Sequence, residues 1–428
     1  MSDDKFQAIV VGGGVAGCAA AYRLAKAGHE VLLIERGKSA GSKNVSGGRI
    51  YAYALEQLMP GEWQSAPLER EIKREAIMMM TPESGILVNS MLPGLPDKMS
   101  YSVLRAKLDE WMAKKAEDAG AMLATGFCAE NIIMQDGKAV GVKTGDEELY
   151  ADIIILADGV NSLLAQGVGL GKPITAENTA VAVKMVIGLS EEQICDRFNV
   201  PAGQGMAMLM VGDCTKGVSG GGFLYTNKNS VSLGLVLDSA GLKAAKENIA
   251  DLIEELTQHP AIAPYLKDGK LLEYGAHLIP EGGLASMPKL YGEGLMVIGD
   301  AAGMVVNSAI TVRGMDYGIL SGIAAADAAH EAIEAGDCSA KKLSSYESAI
   351  KQTVLKDMET FKHAHEFMAT TPDMFSTYPK VAEAVMTNLF TITGQPARRA
   401  PLLVKDAVFK NASLWQMFKD GLKGARSI

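Results

Sequence analysis

Phe6-Gln7-Ala8-Ile9-Val10-Val11-Gly12-Gly13-Gly14-Val15-Ala16-Gly17-Cys18 opens the stretch that decides the fold, and it runs on to Glu35. The apolar run Ala8–Val11 reads as a buried strand, the glycines as a tight turn, and the small-residue stretch Cys18–Ala27 as a helix closed by Gly28-His29. Val31-Leu32-Leu33-Ile34 reads as a second buried strand ending at Glu35. Strand, glycine turn, helix, strand and acid, in that order, make the βαβ unit that binds a dinucleotide. Gly12 permits the tight turn, Gly14 lets backbone approach a pyrophosphate, and Gly17 lets helix and strand pack closely. The helix N-terminus offers free N–H groups and a partial positive charge to phosphates. Glu35 is placed to accept hydrogen bonds from ribose hydroxyls, and its charge argues against a 2′-phosphate. An adenine dinucleotide follows from this stretch, but the choice between FAD and NAD does not.

The chain has 428 residues, 48% hydrophobic and 21% charged, the balance of a globular protein with room for two or three domains. No uninterrupted apolar run approaches the roughly 18–20 residues that span a bilayer. The N-terminus goes almost directly into a strand with no leader-like segment, so a cytoplasmic location is expected. A net charge of −9 argues against nucleic acid as a partner. Cys18, Cys128, Cys195, Cys214 and Cys338 are scattered without a C-x-x-C spacing and read as small buried hydrophobes rather than ligands. The six histidines are equally dispersed, and His363 and His365 fall on different sides of a helix, so no metal site is expected.

Further along, the glycine- and serine-rich loop Gly37–Arg49, containing Ser46-Gly47-Gly48, reads equally as a connector or as a segment beside the ring system of a cofactor. Ile50–Leu58 reads as helix, and residues 66–100 as β-like. Arg105 opens an amphipathic helix, where a cation is disfavoured unless an anion lies nearby; a solvated arginine is the plainer reading. Tyr150–Leu156 is a strongly apolar strand running into Asp158-Gly159, another point of close approach. From about Thr175 the short apolar runs Val181–Gly188, Met206–Val211, Gly222–Tyr225 and Ser230–Leu237 suggest an inserted antiparallel sheet. Gly220-Gly221-Gly222 before Phe223 and Tyr225 reads as a bulge or as bare backbone against a flat ligand. Leu295–Gly299 is the last buried strand, running into Asp300 and Gly303; a carboxylate there needs a partner, such as a ribityl chain. Arg313-Gly314-Met315 opens a long helix whose N-terminus can face a flavin's pyrimidine edge. An NAD enzyme needs only the first βαβ unit, whereas this late strand, Gly299-Asp300 and helix can complete an extended FAD site. FAD is the better fit.

With these residues in view the chain resembles the FixC family of flavoproteins, similar to electron-transfer-flavoprotein:quinone oxidoreductases and more distantly to geranylgeranyl reductases and flavin hydroxylases. The resemblance spans nearly the whole chain. Its more specific marks are Lys43-Asn44-Val45-Ser46-Gly47-Gly48-Arg49, Gly220–Asn227, His259-Pro260, Glu273-Tyr274-Gly275-Ala276-His277 and Pro280-Glu281-Gly282-Gly283. It implies a non-covalent FAD held by Gly12, Gly14, Val15, Ala16, Gly17, Glu35, Arg36, Ser46, Gly47, Gly48, Arg105, Asp158, Gly159, Gly299, Asp300, Gly303, Arg313, Gly314 and Met315. It further implies a quinone approached by Gly220, Gly221, Gly222, Phe223, Tyr225, Tyr274, Gly275 and His277. No side-chain acid or base stands out in the sequence, and protonation of the quinone can use solvent, Tyr225 or His277. The fused quinone oxidoreductases carry a four-cysteine iron–sulfur domain, and here only Cys338 lies beyond Cys214. FixC proteins instead work with a separate small ferredoxin-like protein and a two-subunit electron-transfer flavoprotein.

The fold expected is α/β: a Rossmann-like, glutathione-reductase-type FAD-binding domain from 1–75, 100–175 and 290–335. A sheet-rich substrate domain from 76–99 and 176–289 is inserted in it, and helices fill 336–428. From Pro396 to Ile428 seven Lys and Arg stand against two Asp, a balance of +5 on a chain of net −9. This tail, with Phe409, Trp415 and Phe418, reads either as a terminal helix packed on the body or as a surface for an acidic partner or anionic lipid. The expected activity is electron transfer from an electron-transfer flavoprotein to quinone or a ferredoxin-like partner, with peripheral contact to the inner face of the membrane. The alternatives are an isoprenoid (geranylgeranyl-type) reductase and an NAD(P)H-dependent flavin hydroxylase.

Overall fold

The computed structural model describes residues 5–44, 47–92 and 95–428, so Val45, Ser46, Pro93 and Gly94 lie outside the described residues. The chain first lays down β1 (Lys5–Val11), β2 (Val31–Glu35), β3 (Gly48–Tyr51), β4 (Leu68–Met80), β5 (Gly85–Met91) and β6 (Ser100–Val103). After the Arg105–Asp118 helix come β7 (Met122–Thr125), β8 (Asn131–Gln135), β9 (Lys138–Thr144) and β10 (Glu147–Leu156). Next are β11 (Thr179–Gly188), β12 (Gln204–Gly212), β13 (Gly220–Thr226), β14 (Ser230–Asp238) and β15 (Lys270–Pro280). The short β16 (Tyr291–Gly292) and β17 (Leu295–Val297) precede the long helix Met315–Glu334.

The first sheet has the order β16-β17-β10-β1-β2-β7, with β9 on β10 and β8 on β9. Its centre is parallel: Val11 stands opposite both Ile34 and Leu156, and Leu156 opposite Val297. Parallel strands need both faces covered, and their sequences are accordingly continuous apolar runs. The Val15–Lys26 helix covers the sheet and in turn packs on the alanine-rich Met315–Glu334 helix. Alanine lets these helices form at no cost in side-chain entropy and approach closely. Ile9, Leu24, Leu33 and Ile154 are wholly buried there, each worth about 1.5–3 kcal/mol. Tyr346, from the helices that follow, donates its hydroxyl to the Val297 carbonyl at 3.0 Å and ties them to the sheet.

The second sheet has the order β15-β11-β14-β13-β12-β4-β6-β3, with β5 on β4. Here the alternation is clean. Val183, Met185, Leu233, Leu235, Leu224, Met208, Met210 and Met78 point to one face and form a hydrophobic cluster with the Ile249–Gln258 helix. The opposite face carries the residues in phase with Lys184, Phe223, Tyr225, Ser232 and His277. That face meets the first sheet's nucleotide loops.

Ile50 and Tyr51, expected to open a helix, end strand β3 (Gly48–Tyr51) instead, and the helix starts at Tyr53. Pairing with β6 decides this, because Gly48 to Tyr51 stand opposite Val103 to Ser100. Strands β3 and β6 and the start of β4 therefore lie in the second sheet, although segments 1–75 and 100–175 were expected with the nucleotide part. Cys18, Cys214 and Cys338 are buried as expected, but Cys128 is exposed, because it follows β7 on the surface.

Candidate functional site

The glycine turn shows which glycines the protein needs and which a ligand would use. A Cβ on Gly12, whose φ is +111°, would lie 2.2 Å from the Ala157 carbonyl oxygen, and one on Gly17 would lie 1.9 Å from the Gly12 oxygen. Both positions are closed by the protein itself. Gly14 is open, with only Arg105 Nη2 at 3.8 Å from such a Cβ. No side chain caps the helix that begins at Val15, so its first amides face outward for an anion.

Glu35 closes one side of this turn. Its Oε2 accepts from the Gly13 amide at 2.8 Å and its Oε1 from the Gly37 amide at 2.6 Å. Each oxygen keeps a second lone pair for a ribose hydroxyl. Arg105 is not the solvated arginine of the plainer expectation: Asp109, one turn on and fully buried, takes Nε and Nη2 at 2.8 Å each. That pairing satisfies a cation at a helix start and aims it at Gly14. Arg36 is exposed, and its charge reaches Asp158.

Two more acids face the same space from the ends of β10 and β17. Asp158 has a buried Oδ1 with no partner, and burial pushes its carboxyl up to about 6. Gly159, at φ +79°, leaves its approach open. Asp300 is raised above the usual carboxylate range by burial, against the pull of Arg105, His277 and Lys184. Gly299 is required where it stands, since a Cβ would meet the Ala16 Cβ at 2.8 Å; Gly303, at φ +70°, is open. An orphaned buried acceptor, an open glycine and an uncapped helix N-terminus together fit a ligand that brings phosphates and hydroxyl donors. FAD meets all three requirements.

The loop expected beside the flavin is clasped from both sides. A Cβ on Gly47 would lie 2.3 Å from Ser232 Oγ of β14, and one on Gly48 would lie 3.0 Å from Met315 Cε. Gly314 caps the long helix that Met315 begins. Arg313, expected at the cofactor, has its guanidinium committed elsewhere. It pairs with Asp316 and Asp357 at 2.7 Å, donates to the Tyr53 hydroxyl at 2.7 Å and lies 4.3 Å from the Tyr317 ring centre. Its work is to hold the helix start.

The expected quinone residues divide between the two faces of the second sheet. Phe223 and Tyr225 stack at 4.9 Å on the cleft face, and His277, opposite Ala182, shares it. Tyr274 is an odd number of residues from His277, so it points the other way and is exposed. Gly220 and Gly222 are needed for packing rather than for a ligand. Their Cβ atoms would strike the Val236 oxygen at 2.1 Å and Met210 Cε at 3.1 Å. Gly221 and Gly275 are in phase with the cleft face. Burial pushes the Tyr225 hydroxyl up to about 12 and the His277 imidazole down.

Residues outside the expected set also reach the cleft. Arg49 pairs with Glu75 at 2.5 Å and lies 5.1 Å from the Tyr51 ring centre, beside Tyr225. Lys184 donates to the Gly47 carbonyl at 3.0 Å. The histidines, dispersed along the chain, are not all dispersed in space: His29 Nε2 and His330 Nδ1 lie 2.7 Å apart, with Glu334 close by.

The tail from Pro396 is less packed than a terminal helix closing on the body. The Ala400–Asn411 helix lies on Thr377–Phe390, and Leu414–Ser427 on Ala364–Ala369. Phe409, Trp415 and Phe418 remain exposed, Trp415 at 63%, with Lys405 and Lys419 over the Phe409 and Trp415 rings. Among the described residues no helix is long and apolar enough to cross a membrane.

Residues 364–428 match the model of the ETF-QO/FixC family C-terminal domain, and residues 7–101 that of the FAD dependent oxidoreductases. The chain is 45% identical over 431 residues to the "Probable electron transfer flavoprotein-quinone oxidoreductase YdiS" of Escherichia coli strain K12, covering 100% of both. It is 44% identical over 429 residues to "Protein FixC" of the same strain, covering 99% of both. Among solved structures it resembles a geranylgeranyl bacteriochlorophyll reductase-like protein from Thermoplasma acidophilum, with TM-score 0.73, 23% identity and coverage of 95% of this chain and 96% of that one. The myxobacterial chondrochloren halogenase CndH has TM-score 0.65 and 19% identity, covering 95% of this chain and 97% of that one. These last two are likenesses of fold.

Proposed function

The chain belongs to the ETF-QO/FixC family of FAD-dependent oxidoreductases, and from that premise we propose that it takes electrons from a two-subunit electron-transfer flavoprotein and passes them to a quinone or a small ferredoxin-like protein. The observation that carries this reading is 45% identity over the full chain to a relative named as a probable electron transfer flavoprotein-quinone oxidoreductase.

FAD, when bound, supplies reversible acceptance of the electrons. The rest falls to this chain's residues. Gly14, the amides at Val15 and Ala16, and Arg105 receive the pyrophosphate. Glu35 takes the adenosine ribose, and Asp158 and Asp300 take the remaining hydroxyls. On the facing sheet, Phe223 and Tyr225 offer an aromatic surface against which a flat quinone ring packs. Tyr225 holds its proton at neutral pH, as an ordinary tyrosine does, and burial pushes it further up to about 12, so it serves as a hydrogen-bond donor to a quinone oxygen. His277, lowered by burial, is neutral there and accepts or relays a proton. The exposed aromatic and basic tail is the docking surface, for an acidic protein partner or for the anionic inner face of the membrane.

The test is anaerobic mixing of the purified yellow protein with NADH, with and without its electron-transfer flavoprotein. Bleaching of the flavin only with the partner present is expected. Bleaching by NADH or NADPH alone overturns the partner-dependent reading in favour of a hydroxylase.

A further inference from the structure

Strand β11 carries a lysine within an apolar run, Val181-Ala182-Val183-Lys184-Met185-Val186. Val183 and Met185 enter the hydrophobic cluster, so the strand's period of two sends Ala182 and Lys184 to the cleft face. Lys184 stands opposite Gly234 on β14 and Gly275 on β15. Glycine on both flanks leaves room beside it, and the Phe223 ring lies over Gly234. The ammonium ends 5.6 Å from the Phe223 ring centre and 3.0 Å from the Gly47 carbonyl oxygen.

Charged groups face it from several elements of the cleft. Arg105 faces it from the start of its helix, Asp300 from the turn after β17, and Glu273 and His277 from β15. Burial first, and then Arg105, push its ammonium down to about 8. An ammonium set deep beside another cation is costly unless negative charge is brought to it. A carbonyl oxygen at Gly47 asks only for a neutral donor, so a latch on that loop does not explain the choice of lysine.

We propose that Lys184 tunes the electron affinity of the bound FAD, presenting a positive charge to the flavin cleft that favours the reduced cofactor over the oxidised one. Reduction by two electrons with uptake of one proton leaves one net negative charge on the flavin, and a fixed cation in a poorly solvated cleft stabilises it. The inference rests on FAD occupying this cleft, and is independent of which protein delivers the electrons or which acceptor removes them.

The experiment is equilibrium reduction of the holoprotein against a reference dye, from about pH 6 to 9, for the wild type, Lys184→Gln and Lys184→Arg. Lys184→Gln is expected to lose about tenfold to a hundredfold in preference for reduced flavin, a fall in potential of about 30 mV per tenfold for a two-electron couple. Lys184→Arg stays near the wild type at neutral pH. The wild-type potential drops more steeply above about pH 8, where the ammonium gives up its proton, and neither variant shows that added slope. Lys184 acts on Asp300 and His277, and Lys184→Arg keeps the charge they feel at neutral pH, so its comparison with the wild type isolates the titration of Lys184. If Lys184→Gln binds oxidised and reduced FAD more weakly by the same factor, its potential is unmoved, the lysine is a loop latch, and the proposal falls. If that variant does not hold FAD, Lys184→Arg decides, and a retained slope above pH 8 overturns the proposal. A wild-type protein that takes up no FAD sinks the proposed electron-transfer function itself, and is recognised by its colourless spectrum before any variant is compared.

Discussion

Asp158 places an ionisable group where the protein supplies no donor to one of its oxygens. Its folded pKa of about 6 stands above the roughly 3.9 of an unfolded aspartate. A carboxyl raised by folding contributes its stability fully below the unfolded value and loses it as pH climbs through the folded one. The cofactor-free protein is therefore expected to lose thermal stability between about pH 4 and 6 more steeply than the FAD-bound protein, in which a ligand hydroxyl serves the oxygen. Asp158→Asn, having nothing to ionise, flattens that difference. Melting curves of both forms across this range check it, and identical pH slopes for wild type and variant would dismiss Asp158 as the source. Glu35 contrasts with it, since two backbone amides already hold both of its oxygens in place.

Two elements meet closely where the Val15–Lys26 helix crosses the Met315–Glu334 helix. A Cβ on Gly322 would lie 2.5 Å from the Ala16 carbonyl oxygen and 3.0 Å from the Ala19 Cβ. Gly322→Val must push the helices apart, at a cost of about 1–3 kcal/mol, and Ala16 belongs to the nucleotide turn, so FAD affinity falls with stability. Urea midpoints with and without FAD measure both effects; an unmoved midpoint would mean that the interface yields freely. The elements legible in the sequence are those whose signals are local. The βαβ unit declares itself within thirty residues, and β11 to β14 through apolar runs between polar turns. Strand β3 was hidden because its partner β6 lies some fifty residues on, while the neighbouring Tyr53-Ala54-Leu55 reads as helix. The resemblance grouped Tyr274 and His277 as one segment, which a strand's alternation divides between two faces. Lys184 carried a signal that could have been found: a charge in phase with Ala182, and out of phase with Val183 and Met185.

The whole molecule joins an acidic body to a basic, aromatic tail. Its net charge is −9, yet the last 33 residues carry +5 and leave Phe409, Trp415 and Phe418 exposed. Attraction between exposed charges is screened over about 10 Å at 0.1 M salt, so binding through this tail is expected to weaken as salt rises. Sedimentation with anionic vesicles, alongside partner-driven flavin reduction, separates the two kinds of surface. Vesicle binding that depends on Trp415 and Phe418 assigns lipid; salt-sensitive reduction without vesicle binding assigns a protein. Neither effect at any salt level removes the tail from docking. The central sheet has one more consequence. Strand β1 has β2 on one side and β10 on the other, with Val11 opposite Leu156, and β10 in turn waits for Leu295–Val297. On a ribosome adding roughly 5–20 residues per second, Val11 emerges about 15–60 s before Leu295. Throughout that interval the nascent chain displays an unfinished apolar sheet, a target for chaperones, and FAD capture waits until Leu295–Asp300 has emerged.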